Sequence, residues 1–278
     1  MRRFLPRSLR NWVRAPRKTL RWASDAVLHA VGADRTLDLA PDWRLRCHPT
    51  AYRAIRSSQL DDPAQSAELA EFMACCEPGM VLFDLGAHFG VFSLAALHYG
   101  GVKARAFAVE PSPPAARIMQ IQADLNTAGG RLDVIQAAAA EAPGAQDMLA
   151  AGVIADGFFM AATGDRPERD LTRVRTVSID SLTENTGIRP THLKIDVEGF
   201  EAAALRGGRA TLTADDRPVV FLELHVQMVR DRGGDPAEVL DLLAHYGYGE
   251  FALDGAPATQ EQLLEAPITR LVARTPRR

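Results

Sequence analysis

The apolar residues of the chain fall into short runs that alternate with stretches of helical spacing. Near-continuous apolar runs are typical of strands that are covered on both faces. The pattern therefore predicts an α/β fold with a mostly parallel sheet. The predicted strands are 81–84, 104–109, 132–138, 174–179, 193–197, 219–224, 248–253 and 268–273, with helices at 61–76, 91–97, 114–125, 200–206 and from 235 onward.

Polar residues stand where these predicted strands end. In an open parallel sheet, ligands bind beyond the carboxyl ends of the strands, at the point where the strand order switches. The candidates for binding and chemistry are therefore Asp84, Glu110, Asp180, Asp196, Glu198, Glu223 and His225.

The segment 81–97 combines a predicted strand, a glycine turn and a helix. Gly86 and Gly90 permit a tight turn, and their missing Cβ atoms would let the backbone approach a ligand. The first N–H groups of the following helix would face that ligand. The segment predicts a cradle of nucleotide size.

This cradle lacks the glycine pattern of a dinucleotide site, which would need glycines at positions occupied by Asp84 and Phe89. A carboxylate at 84 would repel a phosphate, whereas it suits the ammonium and sulfonium groups of S-adenosylmethionine. Glu110, at the end of the next strand, is placed to accept hydrogen bonds from both ribose hydroxyls. The pattern favours a class I methyltransferase. A nicotinamide-dependent oxidoreductase or epimerase, or a non-catalytic cofactor-binding module, is the alternative.

Several motifs follow one another along the chain: Asp84-Leu-Gly86-Ala87-His88-Phe89-Gly90, Val109-Glu110-Pro111, Asn126, Val177-Ser-Ile-Asp180-Ser-Leu182, Leu193-Lys194-Ile195-Asp196-Val197-Glu198-Gly199-Phe200-Glu201 and Leu222-Glu223-Leu224-His225. With these motifs, the chain resembles the FkbM-type methyltransferases from about residue 65 to 225, and more loosely to the C-terminus. The string from Lys194 to Glu201 is the most specific part of the resemblance.

The resemblance implies a class I, Rossmann-like sheet, mostly parallel with an antiparallel C-terminal strand. It also implies S-adenosylmethionine as methyl donor and O-methylation of a hydroxyl on a sugar, glycan or small metabolite. His88 departs from the family pattern, which usually has a small polar residue there. The expected cofactor contacts are Asp84, Gly86, Ala87, His88, Gly90, Glu110, Asn126 and Ala138.

Two strand ends offer groups for catalysis, because Asp196 and Glu198, and likewise Glu223 and His225, are spaced i, i+2 and so face one side of a strand. One hypothesis makes His225 or Asp196 the general base that accepts the hydroxyl proton. Another places a divalent cation such as Mg²⁺ on Asp196, Glu223 and His225, where it would hold the acceptor oxygens.

A purely structural interpretation of the same residues stays open. In it Glu198 and Glu201 cap the helix that begins near Gly199, and His225 is a packing histidine; for Glu201 we favour this interpretation. Lys194 is expected to pair with a neighbouring carboxylate.

The charge is distributed unevenly along a chain whose net charge is −3. The first 35 residues carry nine basic and two acidic side chains, interleaved with apolar residues such as Trp12 and Leu20. We expect a basic helical arm and a small hairpin in residues 1–60, and a methyltransferase domain in 61–278 with an inserted ribbon near 141–173. The arm would either pack on the body or make peripheral contact with an anionic membrane.

The composition limits which binding partners and which cellular compartment we expect for the protein. The acidic remainder of the chain argues against nucleic acid as a partner. Three cysteines without metal-type spacing, and no apolar run long enough to span a bilayer, favour a cytoplasmic protein. Contact of the basic arm with the inner membrane face would make it peripheral to that membrane. The oligomeric state is left open.

Overall fold

The computed structural model describes residues 16–151, 158–161 and 171–276, and residues 1–15 of the basic arm lie outside these ranges. Two of its first helices begin with a proline in the first turn, and a side chain caps each. His48 accepts a hydrogen bond from the Thr50 N–H, and Asp62 accepts one from the Ala64 N–H. The elements are α1 (Pro16–Ala30), the antiparallel hairpin β1 (Arg35–Ala40) and β2 (Trp43–Cys47), α2 (Pro49–Gln59) and α3 (Pro63–Ala74).

The segment 81–97 folds as predicted, as a buried strand, a tight turn and a helix. Its strand and the next two strands of the chain are short apolar runs that pair in parallel. The elements are β3 (Val81–Leu85), α4 (Val91–Tyr99), β4 (Arg105–Val109), α5 (Pro113–Leu125) and β5 (Leu132–Ile135).

The single strand predicted for 132–138 is wrong, because the run divides between two sheets. Only its first part joins the central sheet, while β6 (Ala138–Ala139) pairs with a strand of a separate four-stranded sheet. That sheet has the order β6-β9-β7-β8 and also contains β7 (Gly144–Ala151), β8 (Phe158–Ala161) and β9 (Leu171–Val177). An antiparallel ribbon therefore occupies the described parts of the predicted insertion, whose segments 152–157 and 162–170 lie outside the described residues.

The strand predicted for 174–179 likewise belongs to the small sheet, and it ends before Asp180. That carboxylate accepts hydrogen bonds from the backbone N–H groups of Ala210 (2.9 Å) and Thr211 (2.8 Å), so it caps a helix instead of facing a ligand. The remaining elements are α6 (Ile179–Thr186), β10 (His192–Ile195), α7 (Glu201–Arg206), α8 (Arg209–Leu212), β11 (Val219–Leu224), α9 (Val226–Asp231), α10 (Ala237–His245), β12 (Glu250–Leu253), β13 (Ala256–Pro257), α11 (Gln260–Leu263) and β14 (Thr269–Arg274).

The central sheet has eight strands in the order β13-β12-β14-β11-β10-β3-β4-β5. The five strands from β11 to β5 are parallel, and β14 lies antiparallel to β11, as the resemblance implies. The chain moves outward from β3 through β4 to β5 and then returns to β10 on the other side of β3. The strand order therefore switches between β3 and β10, which is where such sheets bind ligands.

Two apolar clusters cover the two faces of the sheet. One joins α3, α4 and α5 to the sheet and includes the hairpin residues Leu37 and Leu45 and the α2 residue Ile55. The other packs α6, α7 and α10 against the opposite face. The hairpin and α2 thus share a core with the sheet. No helix in the described part of the chain is long and apolar enough to cross a bilayer.

Candidate active site

A cavity of about 730 Å³ opens at the carboxyl ends of β3, β4, β10 and β11, around the switch in strand order. This volume lies within the range of small-molecule sites, about 300–1,000 Å³. The cavity brings together ten of the predicted site residues: Asp84, Gly86, Ala87, His88, Glu110, Ala138, Asp196, Glu198, Glu223 and His225. Gly90 and Asn126 are not among its lining residues.

The two glycines of the turn pack closely against other parts of the protein. A methyl group at Gly86 would overlap the carbonyl oxygen of Asp196, and one at Gly90 would lie 2.7 Å from Cγ of Met119. Both glycines also have positive φ angles, +85° and +76°, which L side chains rarely adopt. The sequence identifies the right glycines, but the reason for them is the fit of β3 against the end of β10 and of the turn against α5.

Asp84 is a buried carboxylate that is anchored by the helix it precedes. Its Oδ2 accepts hydrogen bonds from the backbone N–H (3.1 Å) and the hydroxyl (2.7 Å) of Ser93 in α4. Burial raises the pKa of Asp84 to about 6, although the bonds from Ser93 and the charge of Lys194 oppose the shift. The carboxylate both fixes the start of α4 and gives the cavity floor a negative charge.

Glu110 is held in the cavity wall by two backbone donors. One carboxylate oxygen accepts from the N–H of His88 (2.8 Å) and the other from the N–H of Ser112 (2.7 Å). Burial raises the pKa of Glu110 to about 7 in spite of these bonds. Each oxygen has a second lone pair, so the bonds orient the carboxylate and leave acceptor capacity on the cavity side.

Asn126, a predicted cofactor contact, lies apart from the cavity. Asn126 ends α5, at the opposite end of the helix from the cavity, and fastens the N-terminal hairpin to it. Its side chain accepts from the N–H of Arg46 (2.9 Å) and donates to the carbonyl oxygens of Arg46 (2.8 Å) and Gln122 (2.7 Å).

Three carboxylates converge on one imidazole across the cavity from Glu110. Nε2 of His225 lies 3.4 Å from Glu198, 3.6 Å from Glu223 and 3.9 Å from Asp196. The predicted convergence is present, but not for the predicted reason. Asp196 and Glu198 lie in the loop after β10, where Glu198 has a φ of +53°, and His225 is the residue before α9.

Glu201 holds this imidazole from behind, a role that its interpretation as a helix cap misses. It is fully buried, and its Oε1 lies 2.8 Å from Nδ1 of His225 while also accepting from the N–H of Gly199 (2.9 Å). The bond to Nδ1 turns Nε2 toward the cavity. It is the arrangement by which proteins orient both catalytic and metal-binding histidines. The turn at Gly199 that brings Glu201 to His225 gives no signal in the sequence.

The charges of this cluster shift its titration. Burial disfavours the imidazolium, but the hydrogen bond and charge of Glu201 and the charges of Asp196 and Glu198 outweigh it and raise the pKa of His225 to about 9. Burial also raises the pKa of the carboxyls of Asp196, Glu198 and Glu223. Near neutral pH the imidazole therefore carries a proton, and the carboxylates are the groups able to accept one.

A buried ionic network supports the floor between the two strand ends. Lys194 pairs with Glu68 of α3 at 2.7 Å, as expected of a lysine in an apolar strand, and Arg270 of β14 contacts Glu68 at 3.3 Å. Arg270 also binds both oxygens of Glu223, at 3.0 and 3.1 Å. The sequence gives no indication of Glu68 or Arg270, because their partners are set by tertiary packing alone.

A set of donors able to hold a cation lies in the same cluster. Among the described residues, one ligand atom each of Asp196, Glu198 and His225 lies within 4.8 Å of the others. The sequence-based set has Glu223 in place of Glu198; in the structure Glu223 binds Arg270. Oxygen and imidazole donors of this kind suit Mg²⁺ or Mn²⁺.

The sheet, its switch point and this cavity together define a Rossmann-like fold of the class I methyltransferase type. The sequence matches the methyltransferase FkbM domain over residues 84–249, more than half of the chain. The chain therefore belongs to the FkbM methyltransferase family, which implies S-adenosylmethionine as the methyl donor. The match sets aside the nicotinamide-dependent enzymes that the glycine turn had left open.

Solved structures of methyltransferases are similar at low identity. One is the precorrin-6y C5,15-methyltransferase of Geobacter metallireducens, with 13% identity and a TM-score of 0.42, covering 75% of this chain and 86% of that chain. Another is a putative rRNA-methylase of Clostridium thermocellum, with 8% identity and a TM-score of 0.46, covering 77% and 96%. No curated protein matches the chain in sequence.

Proposed function

We propose that the protein transfers the methyl group of S-adenosylmethionine to a hydroxyl oxygen of a sugar, a glycan or a small metabolite. The observation that carries this proposal is the cluster of Asp196, Glu198 and Glu223 around His225, in the same cavity as Gly86 and Glu110. An alcohol is a poor nucleophile until a base or a metal engages it, so oxygen needs such a cluster.

The cofactor belongs in the half of the cavity formed by β3 and β4. Asp84 and Glu110 supply negative charge and acceptors there, which fits a cationic cofactor that carries ribose hydroxyls and no phosphate. Ala87, His88 and Ala138 complete this wall. When bound, the cofactor supplies an electrophilic methyl group; the protein must align the acceptor with it and exclude water.

In this proposal Asp196 takes the proton from the acceptor hydroxyl. It is the most exposed carboxylate of the cluster, with 35% of its side chain accessible, against 22% for Glu198 and 10% for Glu223. Its raised pKa makes it a better proton acceptor than an ordinary aspartate. His225, protonated near neutral pH, steadies the negative charge that develops on the acceptor oxygen.

A divalent cation on Asp196, Glu198 and His225 is the competing arrangement for the same reaction. It would bind the acceptor oxygens and lower the pKa of the hydroxyl, so that no strong base is needed. Chelation separates the two. Full activity after treatment with EDTA would remove the cation from the mechanism, and activity restored by Mg²⁺ alone would establish it.

The test of the function is transfer of a deuterated methyl group to a panel of acceptors. The panel pairs hydroxyl compounds, including sugars, with their amino and thiol analogues, and mass spectrometry locates the label. We expect labelled methyl ethers from hydroxyl acceptors only. Label on nitrogen, carbon or sulfur acceptors would overturn O-methylation. Binding of S-adenosylmethionine without turnover on any acceptor would favour the non-catalytic module.

A further inference from the structure

Helix α1 exposes an apolar side to solvent, while a polar residue, Asp25, ties the helix to the body of the protein. Its apolar side chains Leu20, Val27 and Val31 are 58%, 62% and 71% exposed, and they lie on one side of the helix at spacings of seven and four residues. A surface helix normally buries such a face. Of the seven exposed large apolar residues in the described part of the chain, four lie on or just after α1: Leu20, Val27, Leu28 and Val31.

The described contacts that hold α1 against the body are polar. Asp25 is buried, forms an ion pair with Arg53 of α2 and accepts a hydrogen bond from the hydroxyl of Thr50 (3.0 Å). His29, near the end of the helix, binds Asp34 at 2.7 Å. A helix held by a buried ion pair cannot roll to hide its apolar side without leaving Asp25 unpaired, which is costly. The outward direction of the apolar face is therefore fixed.

The segment that carries this face is rich in basic residues. The sequence of α1 carries Arg17, Lys18 and Arg21, and its only acid, Asp25, is already paired. The residues that precede the helix add further arginines: Arg2, Arg3, Arg7, Arg10 and Arg14. A surface that complements this segment offers an apolar interior to the exposed apolar side chains and negative charge at its boundary to the basic ones.

We infer that α1 docks on a bilayer that contains anionic lipids. Leu20, Val27 and Val31 enter the boundary of the acyl chains, and the basic residues lie among the head groups. Because α2 is tied to α1 through Asp25 and also lines the cavity with Ile55 and Gln59, the docked helix and the active site are mechanically joined. This inference does not depend on the proposed reaction.

Co-flotation of the full chain with vesicles tests the inference. Vesicles of phosphatidylcholine alone are compared with vesicles that also contain phosphatidylglycerol, at low and high salt. We expect binding to the anionic vesicles only, weakened by salt because screening shortens the reach of surface charge. The triple variant Leu20→Gln, Val27→Gln, Val31→Gln should reduce binding by about tenfold or more.

The matched control is Val102→Gln, which replaces an apolar side chain that is 89% exposed elsewhere on the surface. It should bind vesicles as the wild type does, and unchanged melting temperatures show that the variants fold. Absence of binding by the wild type, or equal binding by the triple variant, overturns the inference. A third outcome also overturns it: the wild type does not bind vesicles, and sedimentation velocity shows a dimer that the triple variant dissociates. The apolar face would then join two copies of the chain.

Discussion

The two halves of the cavity use acidic residues in opposite ways. On the side of β3 and β4, Asp84 and Glu110 are each fixed by donors from the protein itself, namely Ser93, His88 and Ser112. On the side of β10 and β11, the carboxylates crowd around His225 at 3.4–3.9 Å. The difference shows that the strand-end acids are not equivalent: the first pair is held by hydrogen-bond donors of the protein, and the second group shares one imidazole. Our proposal assigns cofactor recognition to the first pair and proton transfer to the second group.

Substitution of Gly86 should break both halves at once, because the new side chain must displace Asp196. We expect Gly86→Ala to lower the free energy of unfolding by about 5 kcal/mol or more, or to prevent folding. Gly187→Ala is the control: its φ is also positive, +64°, but no atom lies within 4 Å of the added group. Chemical denaturation compares the two, and equal losses would show that backbone strain, not the contact with Asp196, requires the glycine.

Removal of the Glu68 charge tests the floor beneath the two halves. Glu68→Gln leaves Lys194 buried without its counter-ion, and a broken buried pair costs about 3 kcal/mol or more. Denaturant unfolding measures the loss. Adding Lys194→Met should recover most of it, because no unpaired charge then remains. If the double variant is no more stable than the single one, the pairing is not what stabilises this region.

The charge of Glu201 should matter only to the half that performs chemistry. Glu201→Gln keeps the shape of the side chain but removes the negative charge that orients His225. We expect kcat to fall by about 10–100-fold, as for other residues that orient a functional histidine, with little change in cofactor affinity. Glu184→Gln, on the exposed face of α6, is the control. Weaker cofactor binding of similar size would show that the two halves are not separate.

The pKa of Glu110 makes cofactor binding depend on pH. The folded protein raises this pKa from 4.5 to about 7, so the carboxyl is largely protonated at pH 6 and ionised at pH 8. The ionised form accepts the ribose hydroxyls better, so affinity should rise by about tenfold between pH 6 and pH 8, with proton release. The folded protein holds this proton more tightly than the unfolded chain does. In the absence of ligand, the contribution of Glu110 to the free energy of unfolding therefore decreases as the pH rises from about 4.5 to 7.

Calorimetry in buffers of different ionisation enthalpy measures both the affinity and the released proton. Glu110→Gln should remove most of the pH dependence and most of the proton release, and Asp84, whose pKa is about 6, accounts for a smaller remainder near pH 6. A wild-type affinity that is constant over this range would mean that Glu110 does not meet the cofactor.

Much of the fold follows from the local sequence pattern, and the departures from it have identifiable causes. The strands from 81 to 109 and from 219 to 224 are marked by uninterrupted apolar residues, and the hairpin by Pro41-Asp42. Helix α2 has no such signal, because its residues are mostly polar and Ala51 and Ile55 are its only buried members of the apolar core. The run at 132–138 looks uniform, and its division between two sheets depends on β9, which is distant in sequence.

The residues of the site also fall into two groups: those that the local sequence identifies and those whose contacts depend on distant parts of the chain. Asp84, Gly86 and Glu110 can be recognised because each stands next to the strand end that positions it. Glu68, Glu201 and Arg270 cannot, because their partners are 24 to 202 residues away and the contacts exist only in the fold. Asn126 shows the reverse case, in which the motif is present but its side chain serves the hairpin.

The central claim is that one half of the cavity binds the cofactor while Asp196 in the other half accepts the proton. Asp196→Asn tests it directly when calorimetric affinity for S-adenosylmethionine and the single-turnover rate of methyl transfer are measured on the same preparation. We predict an affinity within about twofold of the wild type and a rate lower by about 100-fold or more. A rate close to that of the wild type, or an affinity that falls as far as the rate, would contradict the account.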